Sequence, residues 1–269
     1  MECQLLRGKR GIIFGALNTN SIAWTIAEHC YREGATFTLT NTPVAIRLGN
    51  THDLAESCRT IVIPADATNT EDLKHLYEKS IDFLGGKIDF VLHSIAMSKN
   101  VLKNREYHEL DYADFHKTLD ISAVTLHKLL QTAYQNDFLN EFASVITLSY
   151  IGAHRVFEGY SDMSHAKALL ESIVRNFGYH YGKARNVRIN AISQSPAYST
   201  ASKSVAGFDK MFDFSDQMSP LGNATAQDCA GLCVALFSDL TTKLTMQTIY
   251  NDGGFSTVGM SSDVLLKFT

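Results

Sequence analysis

Tyr150, Tyr160 and Lys167 fall in one run, LSYIGAHRVFEGYSDMSHAKALLE, at residues 148–171. On a helix, Lys167 would stand two turns beyond Tyr160 on the same face, about 10.5 Å along the axis. That spacing suits a phenol aimed at a substrate and an ammonium aimed at something bound further along the face. A lone tyrosine more often packs than reacts. With eleven tyrosines in the chain, such a spacing also arises by chance, so the surrounding motifs must decide it.

Those motifs begin at the N-terminus, where KRGIIFGALNTNSIAWTIAEHCYREGATFTLTN predicts strand, glycine turn, amphipathic helix and second strand. Gly11–Phe14 is short enough for a buried strand, and Ile22, Ala23, Ile26, Ala27 and Cys30 recur at helical spacing. Gly15 falls where chain reversal needs permissive backbone angles. Ser21 stands at the N-cap position, and the helix start behind it offers free N–H groups and a positive dipole to an anion. This outlines a diphosphate-binding turn without the G-x-G-x-x-G spacing. An ordinary capped helix after a strand is an equal alternative.

The alternation continues along the chain. Strand-like runs are Gly11–Phe14, Thr36–Thr40, Thr60–Pro64, Ile88–Leu92, Ser144–Leu148, Val187–Ile192 and Gln247–Asn251. Helical patterns fill Thr70–Leu84, Tyr112 to Tyr134, Tyr160–Tyr181 and Ala226–Phe237. Strands rich in Val, Ile and Phe, with little alternation, imply a parallel sheet covered on both faces. The expected fold is a single Rossmann-type, doubly wound α/β domain of about seven strands. Ligands in such sheets bind beyond the carboxyl ends of the strands. Asp66-Ala67, His93-Ser94-Ile95-Ala96, Ser149-Tyr150 and Ser193-Gln194-Ser195-Pro196 all follow strands. Four sequence-distant segments meeting at one crevice say more than any one of them.

Composition fits one domain across all 269 residues, long enough to bury roughly 70–75% of its unfolded surface. No linker, repeat or low-complexity tract divides it, and no apolar stretch reaches membrane-spanning length. The opening MECQLLRGKR has no apolar signal region. Five cysteines form an odd count without metal-ligand spacing, and Cys229 and Cys233, one turn apart, read as core or helix surface. No metal is expected, and a reducing cytoplasm fits. A net charge of −4 without a long basic run gives no reason to expect nucleic acid.

With these residues in place, the chain resembles the enoyl-acyl-carrier-protein reductases, a divergent branch of the short-chain dehydrogenase/reductases, over nearly its full length. The carriers are SIAWTIA at 21–27, HSI at 93–95, DIS at 120–122, LSYIGA at 148–153, the Tyr160–Lys167 spacing, NAIS at 190–193 and NDGGFS at 251–256. The common reductase pattern has lysine four residues after tyrosine and serine thirteen before it. Here those positions are Ser164 and Thr147, which argues against a carbonyl reductase.

The resemblance implies NAD(P)H-dependent reduction of a trans-2-enoyl thioester on acyl carrier protein. Tyr160 would donate to the thioester oxygen as it gains charge, Lys167 would hold the nicotinamide ribose, and Tyr150 would frame the thioester. Gly15, Ser21 and Ile22 would contact the diphosphate, and Asp66 and Ala67 the adenine. Ser94, Ile95 and Ala96 would run beside the cofactor, Ile121 would face the nicotinamide, and Ala197 would present backbone to its carboxamide. The family usually has glycine at the position of Ala96. Ser98, Tyr198 and Phe208 are further expected substrate contacts. His93, beside a strand end, is read as structural.

NADH is the expected cofactor by resemblance, with NADPH the alternative. The second strand ends without the carboxylate that usually binds the ribose 2′-hydroxyl, and Arg47 is either a 2′-phosphate contact or a solvated helix residue. Segment 194–220 is similar to the family's substrate-binding lid, with Tyr198, Phe208, Met211, Phe212 and Phe214 as apolar cover. Lys203 and Lys210 are either carrier-protein contacts or plain surface. The resemblance also implies a homotetramer. Two alternatives stay open: a carbonyl or alcohol reductase of the same superfamily, and a non-catalytic nicotinamide-binding sensor.

Overall fold

The computed structural model describes residues 4–198, 202 and 207–268. Six strands form one parallel sheet: β1 (Arg10–Phe14), β2 (Thr36–Thr40), β3 (Ile88–His93), β4 (Leu139–Ser149), β5 (Arg188–Gln194) and β6 (Thr248–Asn251). Their order is β2-β1-β3-β4-β5-β6, so the chain reverses its direction of travel across the sheet between β1 and β3. That crossing is where an open α/β sheet leaves a crevice at its carboxyl edge.

Helices α1 (Ile22–Arg32), α2 (Pro43–Leu48), α3 (Thr51–Ser57) and α4 (Thr70–Leu84) precede β3, and α5 (Lys99–Leu102), α6 (Tyr112–Leu119) and α7 (Thr125–Gln135) follow it. Then come α8 (Met163–Arg185), α9 (Phe208–Met218), α10 (Ala226–Phe237) and α11 (Ser262–Leu265). One sheet face packs on α4, α7 and α8, with Leu76, Tyr77, Leu126, Leu129, Leu170 and Val174 in its core. The other packs on α1 and α10 through Ile26, Ala27, Cys30, Cys229, Cys233 and Phe237. Each leucine taken wholly out of water there contributes roughly 1.5–3 kcal/mol. Cys229 and Cys233 are therefore core residues.

Local chemistry sets the ends. Asn69 accepts from the N–H groups of Glu71 and Asp72 to start α4, and Gly85, at φ +72°, ends it. Thr225 and Asp228 close a reciprocal capping box on α10.

Three expectations change. Thr60–Pro64 is not a seventh strand; its backbone pairs with the sheet at a single bridge, Val62 to Leu39, beside the Thr60 hydroxyl, which donates to Phe37 O. Ile61 is 37% exposed there, so the run lacks the two-sided burial that sustains a strand. The helical stretch from Tyr112 to Tyr134 runs unbroken but gains a π-helical turn, Asp120–Val124, through which α6 passes into α7. The helix expected at Tyr160 begins at Met163, because Gly159 (φ +77°) and Ser161 (φ +51°) turn the chain out of helical geometry on both sides of the tyrosine. No helix among the described residues is long and apolar enough to cross a membrane.

Candidate active site

Gly15 closes β1 at φ +91°, and a Cβ there would stand 2.0 Å from the carbonyl oxygen of Ser94 at the end of β3. Only a glycine lets the two strand ends approach across the crossing point. Ser21 has the extended N-cap conformation, yet its hydroxyl does not cap α1. Instead Leu17 N–H and Asn18 N–H both donate to Ser21 Oγ, each at 3.1 Å. The serine thus folds the preceding loop back and leaves the Ile22 and Ala23 N–H groups without an acceptor among the described residues. Free N–H groups at the start of an eleven-residue helix attract an anion. Along the same carboxyl edge, the buried hydroxyls of Thr40 at the end of β2 and Ser193 in β5 have no partner among the described residues. These features fit a dinucleotide.

Asp66 lies beside this edge, half-buried, its Oδ1 accepting from Thr68 N–H and Thr68 Oγ, while Ala67 is buried. Lys128 donates to Thr68 O at 3.0 Å and to Asp120 at 2.8 Å, which ties that loop to the π-turn carrying the half-buried Ile121. Ser94 is half-buried, Ile95 leans into the core and Ala96 is exposed. Arg47 is exposed on α2.

Tyr150 and Tyr160, the phenols expected at the reaction site, meet just beyond the end of β4. The Tyr150 and Tyr160 rings stand edge to face, centroids 5.0 Å apart. Both pack on Gly152, where a Cβ would lie 2.7 Å from the Tyr160 ring and 3.0 Å from that of Tyr150. Burial pushes both phenols well up, so they remain proton donors at neutral pH. Lys167, only 6% exposed, donates from Nζ to the carbonyl of Leu148 at 2.7 Å. Desolvation lowers its pKa to about 8, with Glu171 opposing the fall. Tyr160 reaches this place from a turn, not from the helical face that its spacing suggested.

His93 is buried, its ring nitrogens 2.9 Å from Thr147 Oγ1 and Thr125 Oγ1. Burial, then the nearby Lys167 charge, lowers its pKa to about 3, so it is a neutral structural residue. Thr147 is thereby turned into the core. Ser98, the expected substrate contact, is buried and spends its hydroxyl on Asp162 at 2.6 Å and on the N-cap of α5.

The expected lid lies across Tyr150. Met211 Sδ, on α9, accepts from the Tyr150 hydroxyl at 3.7 Å. Phe208 is buried against the half-exposed Tyr198 (5.2 Å between centroids), and Phe212 packs 4.6 Å from Tyr198. Ala197 is half-buried just before this cluster, and Lys210 is exposed. Lys203 and the lid's positions 199–201 and 204–206 lie outside the described residues.

The profile of the family described as Enoyl-(Acyl carrier protein) reductase matches residues 15–256. This chain belongs to that family. It is 35% identical, over 98% of its length and 100% of the relative's, to the enoyl-[acyl-carrier-protein] reductase [NADH] FabI of Rickettsia bellii. Its fold superposes on the FabI–NADH complex from Alistipes finegoldii with a TM-score of 0.95 at 55% identity, covering 97% of this chain and 92% of that one. The Bacillus cereus reductase, solved with NADP+ and an indole naphthyridinone, gives a TM-score of 0.89 at 30% identity, covering 95% and 99%.

Two carboxylates of this family member escaped the sequence reading. Asp162, fully buried at the N-cap of α8, leaves the helix uncapped and accepts from Ser98 Oγ at 2.6 Å and Asn100 Nδ2 at 2.7 Å. Asn100 is held in turn by Arg105 and the Asp111 backbone. This network pins the Tyr160 turn to the segment after β3. Glu171, 1% exposed, accepts from Ser149 at 2.6 Å. An aspartate before a helix and a glutamate within one ordinarily signal caps and solvated faces, so neither had a distinguishing signal.

Proposed function

We propose that the chain reduces the trans-2 double bond of enoyl thioesters carried on acyl carrier protein, with NADH as reductant, at a site formed by Tyr150, Tyr160 and Lys167. The observation that carries this reading is a buried lysine seated on the Leu148 carbonyl at the end of β4, with two phenols that burial keeps protonated packed on each other just after that strand. NADH supplies the hydride that reduces the β-carbon. Gly15 and the Ile22 N–H group would take its diphosphate, with Ser21 holding that loop in shape. Asp66 and Ala67 would take the adenine, Ser94, Ile95, Ala96, Ile121 and Ala197 would line its path, and Lys167 would hold the nicotinamide ribose.

Charge moves onto the thioester oxygen during reduction. Tyr160, whose hydroxyl has no protein partner among the described residues, donates to that oxygen and lowers the barrier more than it stabilises the substrate. Lys167 adds positive charge behind it. Tyr150 frames the acyl group, and Met211, Phe208 and Tyr198 cover the apolar chain and exclude water. Ser98 contributes through Asp162, not through substrate contact.

A carbonyl reductase is disfavoured by Thr147, which faces His93 in the core and so cannot reach a substrate carbonyl. NADH over NADPH is supported by the NADH-dependent relatives and, among the described residues, by no charged 2′-phosphate clamp beyond the exposed Arg47. We place the enzyme in the cytoplasm as a homotetramer, a reading supported by family membership and by apolar surface at Leu240, Met260 and Leu266, each about two-thirds exposed or more. The test is NADH consumption on addition of enoyl-acyl carrier protein, run beside NADPH. Turnover with NADH is expected; no cofactor oxidation with any enoyl thioester would point to the sensor alternative.

A further inference from the structure

Glu171 is a carboxylate almost closed to water, and the reaction above does not use it. It stands one helical turn beyond Lys167 on α8, on the same face, and is 1% exposed. Ser149 Oγ donates to its Oε1, and the His154 ring holds its Oε2, both at 2.6 Å. Lys167 donates to the carbonyl of Leu148, the residue just before Ser149. One strand end therefore seats both the ammonium and the carboxylate. A buried carboxylate needs an opposite charge or strong donors, and His154, with a side chain 48% exposed, carries charge only when protonated.

We propose that Glu171 is a positioning residue for Lys167: from one helical turn away it keeps the ammonium charged at its seat on the end of β4, and so sets the pH range over which the cofactor binds. The proposal rests on the assignment of Lys167 to the nicotinamide ribose.

The other groups around the pair do not take this role. From β3, His93 is neutral and hydrogen-bonded to two threonines. Tyr150 and Tyr160 are protonated phenols. Tyr250 on β6 is likewise held protonated, by burial first and by Glu171 and Asp252 next. Arg155 donates to Ser256 O, and Asp252 accepts from the Gly254 and Ser256 N–H groups. Among the described residues, Glu171 is the anion that raises the Lys167 pKa against burial.

Removing that anion lowers the lysine pKa further, so protonation must be recovered by lowering the pH. The experiment is NADH titration, by quenching of protein fluorescence, from about pH 6 to about pH 9 on wild type, Glu171→Gln, Glu171→Asp and Lys167→Ala. Wild type should lose affinity as pH rises through about 8. Glu171→Gln should move that midpoint down by about one pH unit, binding about twofold more weakly at about pH 7 and close to tenfold more weakly near pH 9, and recovering near pH 6. Glu171→Asp should fall between, and serves in its place if the glutamine variant does not fold. A loss in Glu171→Gln that is equal at every pH, or an unmoved midpoint, would overturn the proposal while leaving the Lys167 assignment standing. Wild-type affinity in Lys167→Ala would overturn both.

Discussion

At the β1 end of the crevice the groups proposed to face the cofactor are backbone: Gly15 pressed against Ser94 and the open N–H groups that start α1. At the β4 end they are side chains: Tyr150, Tyr160 and Lys167, held by buried carboxylates at Asp162 and Glu171. The first end is specified by the absence of atoms, since a Cβ at Gly15 would fill the approach. The second is specified by charge and by hydrogen bonds that must all be satisfied out of water. Binding should therefore be vulnerable to added bulk at one end, and turnover to isosteric loss of a polar group at the other.

The largest effect should come from Tyr160→Phe, which removes one donor and no volume. Its kcat should fall about 10²–10³-fold, with NADH affinity within about twofold of wild type, read by steady-state kinetics and fluorescence titration. A comparable loss of affinity would erase the division between the two ends. Asp162→Ala should come next. It leaves Ser98 and Asn100 without their acceptor, at about 1–3 kcal/mol for each stranded group, seen as a lower urea midpoint. Its kcat should drop as the Tyr160 turn loosens.

Gly15→Ala should cost about 1–3 kcal/mol from the positive φ alone. Its signature is a raised Kd for NADH, with kcat at saturating cofactor changed far less. The smallest effect concerns acid stability. His93 is neutral in the fold, with a pKa lowered from 6.5 to about 3, so the unfolded chain binds a proton that the native chain refuses. Stability is full above pH 6.5 and declines as pH falls toward 3. The decline should be about 1–2 kcal/mol by about pH 5, and His93→Gln should flatten that limb in urea melts.

The strands were legible because apolar runs such as Gly11–Phe14 and Ser144–Leu148 are buried on both faces, and a residue's type then reports its place. Thr60–Pro64 failed that rule because Ile61 keeps part of its surface in water, and a single bridge to Leu39 suffices. The residues proposed for function were chosen by motif, and the geometric reason given for Tyr160 and Lys167 did not hold. Helical periodicity was extended through Gly159 and Ser161, whose positive φ angles stop it. The glycine was the available warning, and nothing in the identity of Ser161 announces a left-handed residue. Asp162 and Glu171 stayed hidden for another reason. Sequence shows a charge but not its burial, and each owes its role to partners 62 or more and 22 residues away.

The most direct measurement of the central claim uses NADH carrying deuterium at the transferred position, an enoyl-acyl carrier protein substrate, and mass and magnetic-resonance analysis of the product. The account predicts a saturated acyl thioester with a single deuterium on its β-carbon, formed by wild type and far more slowly by Tyr160→Phe. Deuterium on a carbinol carbon of a 3-oxoacyl substrate in preference to the enoyl chain, or unreduced enoyl thioester throughout, would contradict it.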